Sequence, residues 1–332
     1  MHRIPATFSG ILAITTYQAS SPNRRKVLHI MITVCGEGLI DLVPTDQAAG
    51  PLSPLQPALG GGPFNAAIAS ARLGGEVQFL SRLSTDAFGE ALHAALRHNG
   101  VSTNLVQRGE EPTTLAVSSI DDSGSASFNF YVEGTADRLV DPPTVMSGYA
   151  CFGTVSLVLE PGAGRYLELL RTMSDAGSFI ALDPNIRTIS ATDTHRSRLL
   201  SVLDRVHLLK LSEDEVDFFG GPDVIASVPL IVITRGGDGL TLVRGSTVID
   251  IPPAEVEVVD TIGAGDTILA ALIVELARRG IGVDGIPDIP EDTLAGILRF
   301  AAAAAAITCS RQGAQPPTRD EVEALLNGAP PA

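Results

Sequence analysis

The 332-residue sequence predicts an α/β fold: a mostly parallel central sheet with helices on its faces, and a small β-sheet lid. Three observations carry this expectation. Short apolar runs alternate with longer helix-like stretches along the chain, the rhythm of strand–helix units. Glycines number 33 and hydrophobic residues make up 45%, which suits a large core crossed by many turns. One segment, residues 113–132, switches to strict period two around a turn at Asp121-Asp122-Ser123-Gly124, which reads as a hairpin set apart from the main body.

Taken in order, residues 32–43 read as a strand broken by Gly36 and Gly38. Residues 60–73 open with glycines and Pro63, then run as an Ala-rich helix to Gly74. A short strand over 77–81 precedes a helix over 88–99 that stops at Gly100. Residues 179–183, 207–211 and 230–234 are apolar strands ending in polar or glycine residues, where open α/β sheets place their ligands. Residues 44–59 are Pro-rich, and the expected lid comprises residues 41–59 and 111–140, either a cover over a site or an edge through which two copies pair. No repeat or linker divides the chain, so residues 31–328 are expected to be one domain behind a disordered or over-called extension, 1–30. That extension carries Arg24-Arg25-Lys26 before an apolar run, as in a twin-arginine signal, but Glu37 and Asp41 interrupt the run almost at once.

A formal charge of −15 argues against nucleic acid or an anionic membrane as partner. No apolar run approaches the ~20 residues of a membrane span. Cys35, Cys151 and Cys309 form no CxxC pair and read as reduced thiols in a cytoplasmic protein, and the six histidines lack zinc-site spacing.

The chemistry concentrates in two segments. Gly263-Ala264-Gly265-Asp266 precedes a run of helix formers that ends in Arg278-Arg279-Gly280. The glycines therefore sit at a helix start, where bare N–H groups and the helix dipole favour an anion such as a transferring phosphoryl group. Asp266 can accept the proton of an attacking hydroxyl, with a pKa that the same dipole is expected to keep low. An ordinary N-cap aspartate is the plain alternative. The second segment is Gly60-Gly61-Gly62-Pro63-Phe64-Asn65, a glycine turn into a helix whose Asn65 offers both donor and acceptor to a polyol; tight helix-to-sheet packing would explain it equally. Gly36-x-Gly38 leads into more strand rather than a helix, which excludes a dinucleotide turn, and no GxxxxGK[ST] occurs.

Together these stretches resemble the two signatures of the ribokinase-like (PfkB) carbohydrate kinases, at residues 60–75 and 260–266. The likeness continues at 36–41, Asp183-Pro184-Asn185-Ile186-Arg187, 234–239 and 300–315, in collinear order over about 31–325. It implies a three-layer αβα sandwich and ATP-dependent phosphorylation of a sugar, with Mg2+ and a K+ activator. By the same likeness Asp266 looks like the base, and the amides of Gly263, Ala264 and Gly265 like the anion hole. Asp41, Gly61, Gly62 and Asn65 look like sugar contacts, with Arg187 as a further substrate contact or a surface ion-pair partner. Thr234, Gly236 and Gly239 look like nucleotide contacts. Glu215 would organise Mg2+ through water, Ser212 stands where an Asn is usual, and Lys210 either reaches a phosphate or is a solvated strand-end lysine. Asp260, Ile262, Thr308, Arg311 and Gly313 match a monovalent cation site. Ala302 replaces a polar adenine contact of relatives. The absence of a lysine in Gly61-Gly62-Pro63-Phe64-Asn65 leans toward fructose as acceptor, with ribose, 2-keto-3-deoxygluconate or a nucleoside behind it. A non-catalytic sensor on the same fold would have no need of Asp266.

Overall fold

The computed structural model describes residues 30–45, 52–120, 126–144 and 146–328. The expected extension, apart from its last residue, and the hairpin turn at 121–124 lie outside them. The strands are β1 (Met31–Cys35), β2 (Leu39–Pro44), β3 (Leu55–Gly60), β4 (Glu76–Ser84), β5 (Ser102–Gly109), β6 (Leu115–Ile120), β7 (Ala126–Tyr131), β8 (Tyr149–Gly153), β9 (Phe179–Asp183), β10 (Leu208–Ser212), β11 (Leu230–Thr234), β12 (Leu240–Arg244) and β13 (Thr247–Ile251). The helices are α1 (Gly62–Arg72), α2 (Ala87–His98), α3 (Gly162–Asp175), α4 (Asp193–Leu200), α5 (Glu213–Phe219), α6 (Pro222–Ile225), α7 (Ala264–Arg278), α8 (Glu291–Cys309) and α9 (Arg319–Leu326).

The main sheet runs β13-β12-β11-β10-β9-β8-β1-β4-β5. Every adjacent pair is parallel except β11–β12 and β12–β13. The interior strands are buried on both faces, as continuous apolar runs such as Phe179–Asp183 demand. One core cluster lies beneath α1, α2, α7 and α8, and a second beneath α3, α4, α5 and α6, giving three layers. The antiparallel β12–β13 hairpin at one edge was not legible, because its alternation is short and interrupted by Gly245.

The segment expected as one broken strand belongs to two sheets. Gly36, at φ 147, and Gly38 turn the chain out of β1, and β2 joins the lid. The Pro-rich stretch supplies β3, antiparallel to β2, and the lid order is β3-β2-β6-β7. One helix, α8, is in fact long and apolar enough to cross a bilayer by length and composition. Here it packs on α7, β12 and β13, and its alanines at 301–306 are buried, so the small side chains serve close packing in the core.

Candidate active site

Five parallel strands lie side by side in the order β1, β8, β9, β10, β11, and their carboxyl ends carry Glu37, Thr154, Asp183, Lys210 with Ser212, and Thr234. The α7 N-terminus faces this edge. Its cap, Gly263, adopts φ 78, and a Cβ there would lie 2.7 Å from the Ala314 methyl, so the turn needs glycine on both counts. The N–H groups of Gly263, Gly265 and Asp266 have no acceptor among the described residues. That of Ala264 differs from expectation, since it donates to the Thr261 carbonyl at 3.3 Å. The bare cradle thus comprises the amides on either side of Ala264 and that of Asp266 itself.

Asp266 is half-buried, and its Oδ2 accepts a 2.9 Å hydrogen bond from Asn65 Nδ2. The second oxygen points toward the start of α1, 3.3 Å from where a Cβ on Gly62 would sit. The pKa is not held low by the helix dipole. Burial raises it to about 7; the Asn65 donor and the Lys210 and Arg187 cations work against the rise, and Asp183 adds to it. Desolvation beside a second carboxylate outweighs a half-charge at the helix end.

Lys210 is a buried ion-pair partner rather than a solvated strand-end residue. Its Nζ lies 2.7 Å from Asp183 Oδ2, with side-chain exposures of 7% and 3%. The ammonium would sit 3.0 Å from a Cβ on Gly265, so it underlies the amide cradle with positive charge. Burial disfavours that charge, but Asp183, Glu215 and Asp266 outweigh it and raise the Lys210 pKa. Glu215 accepts from the Ile186 amide at 2.6 Å and the Ser212 amide at 2.7 Å, joining the loop after β9 to the start of α5. Ser212 is the N-cap of α5 in a reciprocal capping box.

Gly61, at φ 102, and Gly62 let the chain pass close to Glu37 and Thr154. Asp41 lies on β2 with its carboxylate against Gly60 and no partner among the described residues; burial lifts its pKa to about 6. Arg187 is exposed, donates to the Ile186 carbonyl at 3.1 Å, and lies near enough to lower the pKa of Asp266. Two further residues stand at this cleft without a role read from the sequence: Thr154 and Asn185. They are the only non-glycine residues with positive φ among those described, at 62° and 45°. A Cβ on Gly62 would meet Thr154 Cγ2 at 2.6 Å and Asn185 Nδ2 at 3.4 Å. Backbone strain of this kind leaves no mark in a sequence, although Asn185 lies inside the Asp183-Pro184-Asn185 stretch.

Thr234 ends β11, its hydroxyl donating to the Leu211 carbonyl at 3.3 Å. Gly236 and Gly239, at φ 54 and 92, make the turn beyond it. The segments 260–262 and 308–313 meet, as the cation-site expectation requires. Asp260 accepts from the Ile262 amide at 3.1 Å and the Gly313 amide at 2.8 Å. The Ile262 and Arg311 carbonyls have no donor among the described residues, whereas the Thr308 carbonyl accepts from the Arg311 amide.

Comparison with known proteins identifies the family. The sequence model of the pfkB family carbohydrate kinases matches residues 30–321. A probable fructokinase-4 of Arabidopsis thaliana is 32% identical over 326 residues, covering 90% of this chain and 97% of that protein. A fructokinase of Rhizobium leguminosarum bv. trifolii is 34% identical over 264 residues, 74% of this chain and 79% of its own. Among solved structures, the fructokinase of Xylella fastidiosa with bound ATP superposes with a TM-score of 0.80 at 27% identity, covering 90% of this chain and 99% of the other.

Proposed function

The chain belongs to the pfkB family of carbohydrate kinases, enzymes that phosphorylate a sugar hydroxyl from ATP, and we propose that its acceptor is fructose and its catalytic base Asp266. The observation that carries the assignment of the base is the placement of one half-buried carboxylate beside a cradle of unpartnered amides at the start of α7, its pKa lifted to about 7. Asn65 holds one oxygen and leaves the other aimed at the glycine turn. An acceptor hydroxyl seated there gives its proton to that oxygen as its own oxygen attacks the terminal phosphorus of ATP, and the bond from that phosphorus to the bridging oxygen breaks to release ADP. The amides of Gly263, Gly265 and Asp266, with the Lys210 ammonium beneath, stabilise the charge on the phosphoryl oxygens. Asp41, unpartnered and partly desolvated, takes hydrogen bonds from other hydroxyls of the sugar, with Gly61 and Gly62 allowing the ring to approach the backbone and Arg187 at the rim.

Thr234, Gly236 and Gly239 receive the nucleotide. No group of three or more His, Cys, Asp or Glu among the described residues is set to hold a metal, which fits Mg2+ carried on the ATP phosphates with most of its waters kept. Bound there, Mg2+ would offset phosphate charge. Asp183, whose Oδ1 has no partner, and Glu215 are the nearby carboxylates that its waters could reach. The Asp260 loop, with the Ile262 and Arg311 carbonyls open, suits a K+ ion that would steady the cradle.

Leu55, Leu59 and Tyr131 expose apolar surface on one face of the lid sheet and Phe128 on the other, and a homodimer through the lid would cover part of it. The free thiols of Cys35, Cys151 and Cys309 fit a cytoplasmic setting. The test is ADP release with fructose, ribose, 2-keto-3-deoxygluconate and adenosine, with and without K+. Fructose should give the highest kcat/KM; a higher value for another acceptor overturns that choice.

A further inference from the structure

Glu37 is 1% exposed, at the turn between β1 and β2, and touches three parts of the cleft. One carboxylate oxygen accepts from the Thr154 hydroxyl and the other from the Ser156 amide at 3.0 Å. Its own backbone supports the glycine turn before α1: a Cβ on Gly61 would stand 2.8 Å from the Glu37 carbonyl oxygen. Thr154 has φ 62 and ψ −152, a region left almost entirely to glycine and one that a β-branched residue adopts only under constraint. In this conformation its amide donates to the Asp183 carbonyl at 3.1 Å, and its methyl presses on Gly62 across from Asp266. Relaxed to an ordinary backbone conformation, Thr154 would lose that register, and the methyl would leave the Gly62 turn.

We propose that Glu37 is a positioning residue for phosphoryl transfer: by clasping Thr154 and Ser156 it holds the turn after β8 in its strained form and so builds the wall of the acceptor cleft that faces Asp266. The inference rests on the reading of Asp266 as the base. It explains why a carboxyl group is buried here at all. An apolar side chain would fill the space but accept from neither Thr154 nor Ser156, and the strained turn would lose its restraint. Glu37 acts on the sugar side only, because the nucleotide residues Thr234, Gly236 and Gly239 lie at and just beyond the end of β11, four strands from β1 along the edge.

The test compares Glu37→Leu, Glu37→Gln and Thr154→Gly, and the Glu37→Leu/Thr154→Gly pair, in full-length protein with ATP and fructose, or the fastest other acceptor. Glu37→Leu should raise the acceptor KM by at least about tenfold and leave the ATP KM within about twofold. Glu37→Gln, which keeps a group for each contact, should restore the acceptor KM to within about threefold of the parent. Glycine accepts the backbone conformation unaided, so adding Glu37→Leu to Thr154→Gly should change little further. An unchanged acceptor KM in Glu37→Leu, equal losses for both substrates, or full additivity in the pair overturns the inference. Should Glu37→Leu fail to fold alone, the Glu37→Leu/Thr154→Gly pair carries the test: with the strain relieved it should fold and match Thr154→Gly in acceptor KM, and a further rise over Thr154→Gly overturns the inference. Loss of turnover in Asp266→Asn alongside normal Glu37→Leu would reject this inference alone. Full turnover in Asp266→Asn would reject the reading beneath it.

Discussion

Replacing Asp266 by Asn keeps the shape and the acceptor for Asn65 but removes the titrating proton. Its effect on activity and on stability should run in opposite directions. General-base catalysis contributes about 10²–10⁴-fold, so turnover should fall by at least about two orders of magnitude. For stability, burial lifts the folded pKa from 3.8 to about 7. A carboxyl raised in the folded state holds a proton that the unfolded chain has released between those two pH values. Folding is therefore favoured at low pH and loses up to ~1.36 kcal/mol per pH unit as pH rises through that window. The whole interval corresponds to about 4 kcal/mol, reduced to about 2 kcal/mol because the side chain is partly exposed and screened. Asn carries no such penalty. Urea unfolding should show Asp266→Asn about 2 kcal/mol more stable than the parent at pH 8, the gap closing as pH falls and vanishing only below the unfolded pKa of 3.8. A variant less stable than the parent at pH 8 would refute the claim that the carboxylate is held against its own solvation.

The same pKa predicts that kcat/KM for the acceptor falls about tenfold per unit below pH 7; a flat profile down to pH 5 would contradict it. Lys210→Met leaves Asp183 buried without its cation and should destabilise by about 3–5 kcal/mol, most of it recovered when Asp183→Asn is added; additive losses by denaturation would show that the pair is not coupled. Gly263→Ala forces a side chain into the left-handed region and onto Ala314, which costs at least ~1–2 kcal/mol and should distort the amide cradle; unchanged melting and turnover would argue against it. Asp41→Ala should raise the acceptor KM with the ATP KM unmoved, and steady-state kinetics in both substrates decides it.

Much of this arrangement could be read before any coordinates. Glycine followed by helix formers marked the starts of α1 and α7, and period-two alternation marked the β6–β7 hairpin. Both signals are local, and local rules of chain geometry govern them. The protonation of Asp266 was not local. A dipole argument from its own helix predicted a low pKa, whereas desolvation where α1 closes over the site raises it, with a smaller contribution from Asp183, 83 positions earlier in the chain. The pairing of Lys210 with Asp183 depends in the same way on β9 and β10 lying side by side. Thr154 gives no sequence signal, since threonine is a poor candidate for positive φ and only the packing of Glu37 and Gly62 around it accounts for the choice. The β3 strand hid within proline-rich sequence because an edge strand tolerates Pro57.

A crystal structure with fructose and a non-hydrolysable ATP analogue tests the central claim most directly. The reacting hydroxyl should lie within about 3 Å of the Asp266 oxygen not held by Asn65, with the terminal phosphoryl group against the amides of Gly263 and Gly265. A sugar bound with that hydroxyl out of reach of Asp266, or a phosphoryl group seated away from the α7 N-terminus, would contradict it.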